Sequence, residues 1–314
     1  MDQVPVGLVF PGQGTQKQGM GEVWRDTPSW HLAEEISEVT GEDLPELLLR
    51  TPQEHLRRTD LAQLTVFTVT MMAHAEAVRG DSFGGPVVAC AGHSLGEYAA
   101  LVASGALAVT RAAALVTARG RAMREAALAH EGRMGAVVGV PPEEVAALAD
   151  EIRGEGGEVW VANINAPAQT VISGSPASVA EFGGRAPAIG ARMIAMEVGG
   201  AFHTPFMAPA AEALGRALQG TPFAPTAVPV VANVDAAPYR GNVDWPALCV
   251  RQLTSPVLWE QSVRTLTGQL GCRRFVELGP GRTLAGLIRR IDRNVEVVSS
   301  DVSGALLTRR VSER

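Results

Sequence analysis

Ser94 stands in Gly92-His93-Ser94-Leu95-Gly96, a Gly-x-Ser-x-Gly arrangement whose chemistry is attack by a serine hydroxyl. An apolar run, Pro86-Val87-Val88-Ala89-Cys90-Ala91, precedes it, and a helix-forming run, Glu97-Tyr98-Ala99-Ala100-Leu101-Val102-Ala103, follows. Strand, sharp turn and helix in that order make a nucleophile elbow, where glycines are needed because a Cβ would strike the neighbouring element. Such a turn raises the Ser94 hydroxyl at the carboxyl end of a strand and aims the next backbone N–H groups at the same spot. A glycine-rich strand–helix turn with an inert serine is the other reading of these residues.

A serine hydroxyl needs a base to attack at neutral pH. The histidines are His31, His55, His74, His93, His130 and His203. His93 flanks the serine, and alternation along the turn points its ring away from the hydroxyl. His203 lies in Gly199-Gly200-Ala201-Phe202-His203-Thr204-Pro205, where a strand gives way to a helix. Ligands collect at that edge in open α/β folds. A helix N-terminus also disfavours imidazolium, which keeps the ring able to accept a proton. A packed or surface histidine is the alternative.

Arg119 is the second unusual residue. From Thr110 onwards, Ala112, Leu115, Val116, Met123 and Ala126 form an apolar stripe at helical spacing, with Arg119 in its middle and Arg111, Arg121 and Arg124 outside it. A guanidinium on an inward face is costly unless an anion pairs with it. Either an internal Asp or Glu supplies that anion, or a substrate carboxylate does, held in a bidentate clamp. Gly12-Gln13-Gly14 follows a strand without the Gly-Lys-Ser/Thr of a P-loop, so half of an oxyanion hole fits it better than a nucleotide.

The elements that must position these groups follow a pattern. Val6 to Phe10 reads as a strand, Ser29 to Val39 and Leu61 to Val78 as helices, then come the elbow strand and helix and a helix from Thr110. This alternation predicts an α/β fold with a parallel sheet covered on both faces. From 132 to 198 the order becomes β-α-β-β-α-β, which is ferredoxin-like, with strands at Met134–Val140, Val159–Ile164, Gln169–Ser173 and Arg192–Val198. The expected division is a catalytic core of residues 1–131 and 199–314 with a small inserted subdomain of residues 132–198. The core resumes with a helix from Thr204, a strand at Val228–Ala232, and a strand–turn–helix from Arg274 to Arg290.

Composition narrows the function class. Of 314 residues, 46% are apolar and 19% charged, which suits a globular enzyme with a substantial core. The net charge of -6 argues against nucleic acid as a partner. No stretch reaches the about 20 uninterrupted apolar residues of a membrane span. Met1-Asp2-Gln3-Val4-Pro5 lacks the basic segment of a signal peptide, and Cys90, Cys249 and Cys272 form no pairing framework, so a cytoplasmic protein with reduced thiols is expected. Histidines are scattered, and no metal site is expected. The C-terminal series Arg273, Arg274, Arg282, Arg289, Arg290 and Arg293 reads as a solvated helix face or a docking patch for an acidic protein.

The set Phe10-Pro11-Gly12-Gln13-Gly14-Thr15-Gln16, Gly92-His93-Ser94-Leu95-Gly96-Glu97, Arg119 with Met123, Ala201-Phe202-His203 and Glu277-Leu278-Gly279-Pro280-Gly281 resembles the ordered motifs of malonyl-CoA:acyl-carrier-protein transacylases. Acyltransferases of polyketide synthases share it. The resemblance spans residues 6–293 and implies an α/β-hydrolase-like core with a ferredoxin-like subdomain. It implies that Ser94 is acylated, that His203 is its base, and that the backbone carbonyl of Gln252 orients the histidine. It further implies an oxyanion hole from the N–H groups of Gln13 and Leu95, a carboxylate clamp at Arg119, and pocket positions at Gln63, Met123 and Phe202. Phe202 resembles the bulky residue of malonyl-selective enzymes. The implied partners are malonyl-CoA and an acyl carrier protein, with no cofactor beyond the coenzyme A thioester that is the substrate.

Three alternatives stand beside a malonyl transacylase. One is a trans-acting polyketide synthase acyltransferase with a different acyl unit. Another is a serine esterase or thioesterase sharing the elbow, against which stand Arg119 and the lack of an evident acid partner for His203. The last is a catalytically silent carrier-binding module, which the intact Ser94, His203 and Arg119 oppose.

Overall fold

The structure, a computed structural model, describes residues 3–300. Its ten strands in chain order are β1 (Val6–Phe10), β2 (Val87–Gly92), β3 (Arg133–Val138), β4 (Val159–Ala166), β5 (Gln169–Gly174), β6 (Arg192–Ala195), β7 (Thr226–Val231), β8 (Pro238–Gly241), β9 (Arg274–Glu277) and β10 (Glu296–Ser299). Six form one sheet in the order β10-β9-β1-β2-β7-β8. All its pairings are parallel except that of β8 with β7. Every residue of β1, Val-Gly-Leu-Val-Phe, is buried, as a strand covered on both faces requires. The mixed α/β architecture with a parallel sheet is therefore as expected.

Long helices cover this sheet. Thr59–Arg79 packs against Val109–Ala129, and Val109–Ala129 in turn against Ala208–Leu218. By length and composition alone Thr59–Arg79 is apolar enough to cross a bilayer, although polar residues such as Gln63 and His74 interrupt it. Yet 78% of its most apolar window is buried in the fold. A helix that is apolar all round belongs in a core as readily as in lipid, and here it fills the core with Leu64, Phe67 and Met71.

The remaining four strands make an antiparallel sheet in the order β4-β5-β3-β6. Helices Pro142–Gly154 and Pro176–Arg185 pack on it around a separate core that includes Val137, Val145, Ile152, Val159, Ile172 and Phe182. β6 ends at Ala195, three residues earlier than its apolar run suggests, and as an edge strand it is largely exposed. The two edge strands of the main sheet, β8 and β10, are additions to the expected pattern. The termini of the expected division, residues 1–2 and 301–314, lie outside the described residues.

Candidate active site

β1 and β2 end side by side, so the Pro11–Gln16 turn and the Ser94 elbow meet at the carboxyl edge of the sheet. The elbow is as tight as its glycines suggest. A Cβ on Gly92 would stand 1.9 Å from the Gly96 carbonyl carbon, and one on Gly96 would stand 2.1 Å from the Phe10 oxygen. Ser94 itself has φ of 52°, a left-handed conformation that costs a non-glycine residue about 1 kcal/mol or more. Its peptide is held at both ends. The Ser94 N–H donates to Asn233 Oδ1 at 2.6 Å, and the Ser94 carbonyl accepts from Gln252 Nε2 at 3.0 Å.

The Ser94 hydroxyl lies 2.8 Å from His203 Nε2. His203 Nδ1 lies 3.0 Å from the Gln252 carbonyl, which can only accept, so Nδ1 carries the proton and Nε2 is the acceptor facing the serine. Burial, then the nearby charge of Arg119, lowers the His203 pKa to about 3. The ring is thus neutral, with burial as the first cause and the Arg119 guanidinium as the second. His93 turns away from the hydroxyl: its Nε2 meets Asn165 Oδ1 at 2.8 Å, and its ring packs on Trp259.

Arg119 lies on the inward face of Val109–Ala129 and is 1% exposed. Its Nη1 donates to Gln63 Oε1 at 2.5 Å, and its Nη2 donates to Gln252 Oε1 at 2.8 Å and to Ser94 Oγ at 2.9 Å. Its Nε has no hydrogen-bond partner among the described residues. Each acceptor is neutral, and none of the ion pairs among the described residues involves Arg119, so the internal salt bridge weighed as an alternative is not formed. Gln63 is fixed in turn by its Nε2 on Met123 Sδ at 3.3 Å.

These groups line one cavity of about 300 Å³. Gln13, Ser94, Leu95 and Arg119 wall it from the main body, with Phe202 and His203 beside them, while Met134, Asn163 and Val171 close it from the second sheet. The Gln13 and Leu95 backbone N–H groups make no hydrogen bond among the described residues. Glu277, in the last of the recognised motifs, accepts from the N–H groups of Leu284 and Ala285, and so seats the helix Thr283–Ile291 whose Leu284 and Leu287 complete the cavity. Of the arginine series, Arg274 pairs with Glu296, Arg289 reaches the Val297 carbonyl, and Arg290 bonds Gln169 Oε1 at the cavity rim. Among the described residues no group of three or more metal-ligating side chains is gathered.

Every site residue expected from sequence is therefore brought together: Ser94, His203, Gln13, Leu95, Arg119, Phe202, Met123, Gln63 and Gln252. Sequence reasoning missed Asn233, Glu97 and the side chain of Gln252. Glu97 did carry a signal, as a lone acid opening the apolar elbow helix.

The geometry suits attack by a serine oxygen on an acyl carbon, beside a cation that no carboxylate among the described residues pairs. Comparison with known proteins agrees. Residues 8–309 match the family described as "Acyl transferase domain". The malonyl CoA-acyl carrier protein transacylase of Bacillus subtilis is 37% identical over 297 residues, covering 94% of this chain and 92% of the relative. A solved malonyl-CoA:acyl carrier protein transacylase from Xanthomonas oryzae superposes with a TM-score of 0.89 at 36% identity, over 98% of both chains. A further structure, described as a type II PKS acyl-carrier protein in complex with its malonyl-transacylase, gives a TM-score of 0.89 at 33% identity, over 97% of this chain and 99% of that one. The chain belongs to the acyl transferase family and, within it, to the malonyl CoA-acyl carrier protein transacylases.

Proposed function

We propose that this enzyme carries a malonyl group from coenzyme A to the phosphopantetheine thiol of an acyl carrier protein through an ester on Ser94. The observation that carries the reading is the position of Ser94 Oγ, 2.8 Å from His203 Nε2 and 2.9 Å from Arg119 Nη2. His203 Nε2 takes the hydroxyl proton as Oγ bonds to the thioester carbon. The oxyanion is stabilised by the Gln13 and Leu95 N–H groups. The carbon–sulfur bond then breaks, and the imidazolium returns its proton to the coenzyme A thiolate. The second half runs in reverse, with the carrier thiol giving its proton to His203 and attacking the ester.

Arg119 holds the free carboxylate of malonate, exchanging the neutral oxygens of Gln63 and Gln252 for a charged one. Phe202, beside the base, limits branching at the α-carbon. No cofactor takes part, because the thioester brings its own activation. We read residues 132–198 as a ferredoxin-like subdomain set into an α/β-hydrolase-like core; the strand order β4-β5-β3-β6 and its separate apolar core support that reading. Buried, unpaired Cys90, Cys249 and Cys272 suit a cytoplasmic enzyme.

Intact-mass spectrometry after brief exposure to malonyl-, methylmalonyl- and acetyl-CoA tests the reading. A malonyl adduct on Ser94 that moves to added carrier protein is expected, and Ser94→Ala should abolish it. Steady release of free acid without a carrier would make the enzyme a hydrolase instead.

A further inference from the structure

We propose that Glu97 is a positioning residue for the acyl transfer, fixing through the Gln252 side-chain amide both the Arg119 guanidinium and the Ser94 peptide. The proposal rests on the reading of Arg119 as the carboxylate clamp. Glu97 sits in the first turn of the elbow helix, three residues after Ser94, and is fully buried. Its Oε2 accepts from the Asn233 backbone N–H at 2.6 Å and its Oε1 from Gln252 Nε2 at 3.0 Å. Both oxygens thus accept N–H donors, the arrangement an ionised carboxylate requires. Among the described residues no cation pairs with it directly.

The two residues that Glu97 holds are the two that hold the nucleophile. Asn233 takes the Ser94 N–H through its Oδ1 and gives its Nδ2 to the Gly92 carbonyl at 2.6 Å. Gln252 donates from Nε2 to the Ser94 carbonyl as well as to Glu97. One carboxylate therefore braces the strained serine from the N–H side and the carbonyl side together.

It also sets the polarity of the Gln252 amide. An amide has one accepting end and one donating end. The Glu97 carboxylate and the Ser94 carbonyl can only accept, so Nε2 must face them and Oε1 must face Arg119 Nη2. With the carboxylate gone, the Ser94 carbonyl and Arg119 still favour this orientation, but Nε2 loses one of its two acceptors and the amide is held less firmly against the guanidinium. Glu97 supplies negative charge toward Arg119 across that amide, and not by contact. A carboxylate in direct contact would occupy the guanidinium and compete with substrate. Placed one amide away, it offsets the buried cation and leaves the donors to exchange neutral partners for malonate. Burial pushes the Glu97 carboxyl up to about 7, while the Asn233 and Gln252 donors and the Arg119 charge pull it down.

The test compares kcat/KM for Ser94 acylation by malonyl-CoA and by acetyl-CoA in the full chain. In Glu97→Gln the malonyl-to-acetyl ratio should fall by about tenfold, chiefly through a raised KM for malonyl-CoA. Gln252→Met keeps the backbone carbonyl that orients His203 and should reproduce the fall, so it decides the matter if Glu97→Gln does not fold. A ratio within about twofold of wild type in the folded variants, or equal losses with both donors, overturns the proposal. Arg119→Ala separates the two readings. If it abolishes the ratio while Glu97→Gln and Gln252→Met preserve it, only the role of Glu97 falls. If Arg119→Ala also preserves the ratio, the clamp falls and this proposal with it.

Discussion

Arg119 combines two states that seldom coexist, complete burial and, among the described residues, the absence of a carboxylate partner. Removing one partner of a buried charge pair typically costs 10²-fold or more, about 3 kcal/mol. Arg119→Ala should accordingly lower kcat/KM for malonyl-CoA about a hundredfold more than for acetyl-CoA, measured by stopped-flow acylation of Ser94. Equal losses would assign Arg119 to the nucleophile alone. His203 makes a prediction of opposite character, that something ordinary is missing. Its pKa, lowered by burial and by Arg119 from 6.5 to about 3, leaves Nε2 unprotonated at any pH above that value. The profile of kcat/KM, which reports the free enzyme, should therefore show no limb belonging to His203 near the usual histidine value, and any limb near 7 should be that of Glu97 and vanish in Glu97→Gln. Stability carries the same sign. The unfolded ring takes a proton near 6.5 and the folded one only near 3, so this group's contribution is lost as pH falls from 6.5 towards 3.

At the scale of elements, the elbow depends on two glycines in a way that can be measured. Gly92→Ala places a Cβ 1.9 Å from backbone, which no side-chain adjustment relieves, and should cost about 3 kcal/mol or more in a urea melt. Gly286→Ala is the contrast. It lies within the helix Thr283–Ile291 with nothing near an added Cβ, and should be neutral or stabilising by up to about 1 kcal/mol. The strand–elbow–helix was legible because chain-local sterics dictate it. The parallel sheet was legible too, since buried strands such as Val6–Phe10 are apolar on both faces. Edge strands were not: Pro-Tyr-Arg-Gly of β8 is half exposed and has no period to read. The bracing of Ser94 was equally hidden. Asn233 and Gln252 lie 139 and 158 residues from Ser94, and only tertiary folding brings their amides to its peptide. Arg119 stood out from a single helix, because a charge breaking an apolar stripe is a local contradiction. Whether that charge found an internal acid was a question of tertiary contact.

For the whole molecule, a core of its own built on Val137, Ile152 and Phe182 would let the smaller sheet unfold apart from the larger if nothing joined them. The connections between them argue otherwise. The Ile164 N–H donates to the Val257 carbonyl at 2.9 Å, and the Val257 N–H donates to the Ala162 carbonyl at 2.9 Å, so β4 is tied by backbone to a segment of the main body. The His93 ring reaches from the elbow to Asn165 of the same strand. Met134 and Val171, which line the cavity, and Ala162, next in sequence to Asn163, belong to the main apolar core and not to the small one. Melting the second sheet alone would strip these contacts and expose that face, leaving the main core incomplete. Calorimetry should therefore give one cooperative transition, with calorimetric and van't Hoff enthalpies in agreement. Two separated transitions would mean that the small core stands alone. The same coupling bears on function, because the face that seals the two cores together also walls the acyl cavity. Asn165→Ala, which removes the side-chain tie to His93 but keeps the backbone ties through Val257, should leave one transition in place. It should also raise hydrolysis of the malonyl-Ser94 ester relative to transfer, read as free malonate formed per carrier acylated. An unchanged partition would show that the backbone ties alone keep water from the ester.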